Sequence, residues 1–503
     1  MSIPFNLIPG NIRVPGFFVE VDKSAANQGG ADILRTLLVG QRRSTGTISA
    51  GVLTRVTSAA QVGQFFGLGS MLHLAAKAYF ANDSFGEVWA VALDDDAGGT
   101  KSISTIQVAT IATAAGVIPL YIGGRLVNVA LLGMETKAQT AAAIKAACDL
   151  VTDLAGVAST DGIDTVSITA LHKGAVAGRI DVRTCALGSA AGEQLPATLA
   201  LTISQQQTPG VADPSVTVAI DAMADEPFEF IAWPYSETTT LGLIATEMAD
   251  SADGRWGPLR QLYGHVVSFK GGTLATLGSY GAGLNDPHLT MFGCKGMLET
   301  QAEIAAAACG QIATSIRVDP ARPLQTLPLI GIHAPSKDDK FLLSERNSLL
   351  FDGVATLTSD QAGVVRIERA ITTYQKNAYG SPDASELDSE TLFTLAAIMR
   401  RLKTAITSKY GRHKLVSDGT RIGAGQAAVS PSTMRAELVA EYRAMESDGL
   451  VENADAFKAA LIVERNSQDP NRLDVLFPPD LVNGLRVFAM LNQFRLQYPA
   501  AAA

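Results

Sequence analysis

The stretch that most constrains this chain lies between residues 477 and 498. Phe477-Pro478-Pro479-Asp480-Leu481-Val482-Asn483 leads into Leu485-Arg486-Val487-Phe488 and Asn492-Gln493-Phe494-Arg495-Leu496. Proline can neither sit in a helix interior nor donate to a sheet ladder, so the Pro-Pro step forces an extended connection. Beyond it Phe494, Leu496 and Tyr498 point one way and Gln493, Arg495 and Gln497 the other, which is the period of a half-buried strand. Such a strand needs a sheet to join, in this subunit or in a neighbour. The first thirty residues make the same demand. Pro4, Pro9, Gly10, Pro15 and Gly16 prevent a helix, and Phe17, Val19 and Val21 alternate against Phe18, Glu20 and Asp22.

Between these two arms the texture changes three times. Residues 33–39 are a mostly apolar run and 88–93 an apolar one, both fit for buried strands, with short helices expected over Ser58–Phe66 and Ser70–Asn82. Residues 97–216 are rich in Thr, Ala, Val and Gly; a strand–turn–strand over 120–127, an Ala-rich helix over 137–154 and strands over 165–170 and 179–184 predict a small α+β unit. From 217 to 370 strands (228–233, 264–270, 289–293) alternate with helices (238–251, 298–313), the rhythm of a parallel or mixed sheet covered by helices. Two helices follow. Asp388 or Ser389 caps the first, whose stripe is Leu392, Leu395, Met399, Leu402, Ile406 and Tyr410, and Gly411 ends it. The second opens at Ser430-Pro431 and carries Met434, Leu438, Tyr442 and Met445.

The expected fold is thus an α/β core with a mixed, largely parallel sheet, an inserted α+β domain, a C-terminal α+β domain and extended N- and C-terminal strand arms. The boundaries are 1–30 for the N-terminal arm, 31–96 plus 217–370 for the core, 97–216 for the insertion, 371–483 for the C-terminal domain and 484–503 for the C-terminal arm.

Composition narrows function by exclusion. A 503-residue chain with 47% hydrophobic and 18% charged residues is globular. A net charge of -9 argues against a duplex-binding face, though a local basic stripe remains compatible with it. Cys148, Cys185, Cys294 and Cys309 lack CxxC spacing, so they read as free thiols in a reducing compartment. No signal peptide or membrane-length apolar run is expected, so assembly in cytoplasm is.

Catalytic and metal motifs fare poorly. Gly423-Ala424-Gly425-Gln426-Ala427-Ala428 matches GxGxxA, but no strand precedes it and it reads as a flexible loop. His73, His172, His265, His288, His333 and His413 do not pair at metal-ligand spacing. Ser279, in Leu277-Gly278-Ser279-Tyr280-Gly281, lacks the first glycine of a GxSxG elbow. Asp94-Asp95-Asp96 lacks EF-hand spacing and reads as a solvated turn. No cofactor or metal is expected, and no enzyme activity. The cluster Arg400, Arg401 and Lys403, mostly off the helix stripe, could meet an acidic partner or be a wet face.

Several stretches together resemble contractile tail sheath proteins of the Mu-like phage type. They are the C-terminal region from Gly449-Leu450-Val451-Glu452-Asn453 onward, with Leu461-Ile462-Val463-Glu464-Arg465 and Asp469-Pro470-Asn471-Arg472-Leu473-Asp474; Tyr374-Gln375-Lys376-Asn377 with Gly380, Asp383 and Leu387-Asp388; and Lys409-Tyr410-Gly411-Arg412-His413-Lys414-Leu415 with Asp418-Gly419. Phe65-Phe66-Gly67-Leu68-Gly69-Ser70, Pro15-Gly16-Phe17-Phe18-Val19-Glu20, and Leu171-His172-Lys173-Gly174 with Arg179-Ile180-Asp181-Val182-Arg183 fit as well. The last departs from the family in having Gly178-Arg179 where a Gly-Asn pair is expected. The resemblance spans nearly the whole chain, most densely 364–498.

What the resemblance implies is a subtilisin-like core used structurally. Copies would build stacked hexameric rings, a helical polymer around a tail tube, whose contraction drives the tube through the host envelope for genome ejection. Its partners would be itself through exchanged N- and C-terminal strands (Phe17, Val19, Val21; Phe494, Leu496, Tyr498), the tail tube protein, and baseplate and tail terminator proteins, with no nucleic acid and no membrane insertion. The place would be the virion tail, assembled in host cytoplasm, and the tube contact Arg400, Arg401 and Lys403 or the helix from Ser432 to Ser447. A sheath of a non-viral contractile injection system is the alternative within the class, and an α/β-fold hydrolase the alternative outside it.

Overall fold

Two apolar runs and two Ser-capped helices open the described part of the chain. The computed structural model describes residues 34–423 and 425–496; Phe17, Val19, Val21 and Tyr498 lie outside them. Strand β1 (Arg35–Gln41) is buried along nearly all its length, as is β3 (Glu87–Leu93), and the short β2 (Thr54–Val56) lies between them in sequence. Helices α1 (Ala59–Phe66) and α2 (Met71–Asn82) start where Ser58 and Ser70 accept hydrogen bonds from the backbone N–H of Gln61 and His73. These caps satisfy donors that a helix start leaves orphaned.

Residues 101–208 form β4 (Lys101–Thr110), β5 (Gly116–Ile122), β6 (Arg125–Leu131), α3 (Lys137–Asp149), β7 (Gly156–Thr160), β8 (Thr165–Lys173), β9 (Val182–Thr184) and β10 (Ala200–Thr208). They make two separate sheets, β10-β4-β8-β7 and β6-β5-β9, antiparallel throughout. β8 alternates buried and half-buried residues along its whole length, the pattern of a sheet packed on one face. Ile106, Ile118, Val129, Ile144, Val166 and Ile168 meet in a cluster of their own. Helix α3 begins at a Thr136/Gln139 capping box but stops at Asp149, short of the expected Leu154. Leu150-Val151-Thr152-Asp153 combines β-branched residues with acids at the negative end of the helix dipole, and the turn it makes lets Leu154 join the cluster. The strand expected from 179 begins only at 182.

The main sheet resumes after α4 (Thr217–Met223) with β11 (Phe230–Ala232), α5 (Thr238–Met248), β12 (His265–Gly271), α6 (Leu274–Gly281), β13 (Leu289–Cys294), α7 (Gln301–Val318), β14 (Pro328–His333), α8 (Leu343–Phe351), β15 (Ala355–Ser359) and β16 (Val364–Arg369). Its nine strands run β14-β16-β15-β13-β12-β11-β1-β3-β2. The pairs from β15 to β3 are parallel, and antiparallel strands flank them on both sides. The fold is α/β on a mixed sheet. β13 is buried at every residue and β12 at all but the last, as a parallel sheet covered by helices requires. Helix α7 begins at Gln301, later than the expected 298, because its N-cap Thr300 closes a capping box with Glu303. Its Ala-rich face packs on α2 so closely that a Cβ on Gly310 would stand 3.0 Å from the Tyr79 carbonyl oxygen.

Beyond residue 388 come α9 (Ser389–Tyr410), β17 (Lys414–Leu415), β18 (Ala428–Val429), α10 (Pro431–Ser447), α11 (Ala454–Ala460), β19 (Ile462–Arg465) and β20 (Leu473–Leu476). The anticipated stripe of α9 describes only its second half. In the first half Leu392, Phe393, Thr394, Ala396 and Ile398 are all buried, with the Phe393 ring 5.4 Å from Phe230 and 5.2 Å from His265. A helix enclosed on several sides loses its one-sided pattern. All four expected positions of α10, Met434, Leu438, Tyr442 and Met445, are buried.

Candidate assembly surface

The extended segment after β20 is pinned at its start. Phe477 packs edge-on to Phe457 at 4.7 Å, and Phe457 stacks flat on Tyr442 at 3.7 Å. The Tyr442 hydroxyl donates to the Glu452 carbonyl (2.6 Å) and accepts from the Asp480 N–H (3.1 Å). Val451 and Leu481 form an isolated bridge, and the Pro478-Pro479 connection between these points is extended as its sequence requires.

From Val487 on, the side chains turn outward. Val487 is 78% exposed, Phe488 80%, Leu491 85%, Phe494 81% and Leu496 97%. Residues 484–496 make no ladder with any other described residue. A run of large apolar side chains in water marks a surface built to be covered.

β19 and β20 form a two-stranded antiparallel sheet, Ile462 opposite Leu476 and Arg465 opposite Leu473. Sequence reading missed this hairpin; the signal was the Asp469-Pro470-Asn471 turn between two short apolar runs. A lone hairpin is marginal in water and gains from a third strand. Beside it opens a groove of about 590 Å³, lined by Met399, Leu402, Ile406, Met434, Leu438 and Phe477.

Arg400, Arg401 and Lys403 of α9 do not form one free surface. Arg400 is mostly covered and lies 3.7 Å from Glu229. Arg401 reaches across to α10, donating to Glu441 (3.3 Å) and Asp448 (2.6 Å). Lys403 is exposed and stands at the rim of the groove.

Asp94-Asp95-Asp96 is a joint and not a solvated turn. Asp94 accepts from Arg42 (2.7 Å) and Asp96 from the Gly98 N–H (2.8 Å). Asp95 accepts from His172 Nδ1 (2.8 Å), Gln41 Nε2 (2.8 Å) and the Lys173 N–H (3.1 Å). Burial pushes its pKa up, but these hydrogen bonds outweigh burial and hold the carboxyl below the usual range. Sequence spacing could not reveal partners so far along the chain.

The remaining motifs take bland places. His265 bonds Thr290 (2.7 Å), His288 stacks on Trp256 and faces Asp250, His333 pairs with Glu299, His73 accepts from the Gly69 N–H, and His413 meets the Tyr410 ring. None of these partners is Ser279, an exposed residue of α6. Among the described residues no His, Cys, Asp and Glu group could hold a metal, and no helix is long and apolar enough to cross a membrane. The four cysteines are unbridged. The described residues of 423–428 form a loop that leads into β18, with no strand-to-helix turn.

The family described as phage tail sheath protein central domain matches residues 210–373, and that of the phage tail sheath C-terminal domain matches 381–495. The Mu-like prophage FluMu tail sheath protein of Haemophilus influenzae is 36% identical over 497 residues, covering 99% of this chain and 100% of the relative. Among solved structures, the sheath tail protein of Desulfitobacterium hafniense aligns with a TM-score of 0.47 at 12% identity, over 94% of this chain and 97% of that one. The contracted helical sheath of the anti-feeding prophage aligns with a TM-score of 0.45 at 10% identity, over 97% and 100%. With a relative this similar along its full length, the chain belongs to the phage tail sheath protein family.

Proposed function

We propose that this protein is the structural subunit of a contractile tail sheath. Copies close into hexameric rings, and the rings stack into a helical cylinder around a tail tube. Contraction drives the tube through the host cell envelope for genome ejection. The partners in this reading are further copies of the chain, the tube protein, and baseplate and terminator proteins, and the site is the virion tail, assembled in host cytoplasm. The work comes from packing energy stored during assembly, so no catalytic site is needed.

The observation that carries the reading, beyond family membership, is the exposed apolar segment of residues 487–496. In a polymer it would add as a strand to a neighbour, and the β19–β20 hairpin beside its groove is the acceptor we propose. Phe17, Val19 and Val21 would form the second exchanged strand, with Tyr498 extending the first. Burying each large apolar side chain yields about 1.5–3 kcal/mol, against about 1–2 kcal/mol per residue for ordering the arm. Each link is modest, and repetition through closed rings holds the polymer.

The division that goes with this reading is an arm (1–30), a core (31–96 with 217–370), an outward-facing insertion (97–216), an inner domain (371–483) that carries the tube contact, and an arm (484–503). Negative-stain microscopy of the purified full chain tests it, with cylinders or rings expected. Deletion of 484–503 should leave a soluble body without long cylinders. Normal-length cylinders from the truncated chain would refute strand exchange.

A further inference from the structure

We infer that Arg486 is the residue that fixes where the C-terminal arm leaves the body, and so sets the length of the tether to the next subunit. This rests on the strand-exchange reading above. Gly484 and Arg486 face inward while Leu485 and Val487 face out, the period of an extended chain laid on a surface. Gly484 lies so close to the body that an added Cβ would stand 2.7 Å from the Pro323 ring. The Leu485 carbonyl accepts from Gln325 Nε2 at 3.3 Å.

The Arg486 guanidinium then closes the attachment. It donates to Gln325 Oε1 (3.2 Å), lies 3.2 Å from Asp388, and pairs with Glu390 at the start of α9. Its side chain is 13% exposed and that of Glu390 8%. Asp388 is itself held by Arg369 through two hydrogen bonds, at 2.8 and 2.9 Å, so the clamp stands on a fixed base. A charged group this well covered is retained where its partners are fixed. One residue later Val487 is 78% exposed.

The consequence is geometric. The last backbone-to-backbone attachment before the clamp is the Val482 N–H, which donates to the Leu450 carbonyl at 3.3 Å beside the Val451–Leu481 bridge. Without Arg486, residues 483–486 would join the free arm and lengthen the tether by about 14 Å at full extension. That slack would let neighbouring bodies sit at many distances instead of one.

The experiment compares four full-chain forms, wild type, Arg486→Ala, Arg486→Lys and wild type with five Gly/Ser residues inserted after position 486, with a chain ending at 486. Protection of residues 483–486 from a broad-specificity protease is read in the monomer, and helical order of the polymers by electron microscopy. Arg486→Ala should lose protection at 483–486 and form polymers without regular helical order. The insertion should lose the same order while the clamp stays protected, which a merely structural role for Arg486 does not predict. Arg486→Lys, which keeps the charge, should regain part of the order. Polymers of wild-type order from both Arg486→Ala and the insertion would overturn the inference. If Arg486→Ala fails to fold, the insertion alone decides. If the chain ending at 486 also builds ordered cylinders, strand exchange itself falls; if it builds none while Arg486→Ala and the insertion are normal, only the clamp falls.

Discussion

Asp95, just past the end of β3, and His172, on β8, meet at 2.8 Å where the chain of the main sheet gives way to residues 97–216. The Met71 N–H donates to His172 Nε2 at 3.2 Å, so Nδ1 carries the proton given to Asp95. One carboxylate thus ties β1, β3 and β8 together. Asp95→Ala leaves the donors of His172, Gln41 and Lys173 without their acceptor and should cost about 1–3 kcal/mol. Chemical denaturation of the monomer measures it; an unchanged midpoint would refute the joint.

His265 makes the body acid-sensitive in a defined window. Burial, and then the charge of His288, lowers its pKa to about 3, while an unfolded histidine titrates near about 6.5. Between those values only the unfolded chain takes up the proton. Stability from this group is therefore constant above about 6.5 and falls by about 1.4 kcal/mol per pH unit below it, until the folded pKa is reached. The loss of melting temperature between pH 7 and pH 5 should be smaller in His265→Gln than in wild type. Equal losses would show that other groups set acid stability.

Residues 97–216 should be replaceable by a short Gly/Ser linker. Thr100 and Val211 already bond each other, N–H to carbonyl at 3.1 and 3.3 Å, so the two ends stand side by side. The shortened chain should fold and polymerise, with a lower melting temperature because Asp95 and Lys77, which pairs with Asp153, lose partners. Global unfolding or loss of polymerisation, by circular dichroism and electron microscopy, would count against an outward-facing insertion.

The basic residues of α9 should separate by role. Lys403→Glu should weaken co-sedimentation with tube while sparing sheath-only polymers, and the effect should fade with salt. Arg400→Glu and Arg401→Glu should instead lower the melting temperature, since each sets a carboxylate against Glu229 or against Glu441 and Asp448. Unchanged tube binding by Lys403→Glu at low salt would leave Ser432–Ser447 as the contact.

What the sequence determined by itself is local. Ser58, Ser70, Thr300 and Ser430-Pro431 set helix starts because a cap needs only the next three residues. The mostly apolar runs of β1 and β3 and the strand–helix rhythm after residue 217 announced a covered, largely parallel sheet, and Met434, Leu438, Tyr442 and Met445 a buried face, because periodicity is written in adjacent residues. Tertiary structure decided what distant residues do to one another. It turned Arg400 and Arg401 from a surface cluster into internal ion pairs, Asp95 from a wet turn into a joint, and the first half of α9 into an enclosed helix. It also left Phe494 and Leu496 exposed, outside every ladder of the described residues, and set Arg486 on Gln325, Asp388 and Glu390. A charge's partner and a strand's neighbour are chosen by which surfaces folding brings within a few ångströms, and no spacing along the chain encodes that distance.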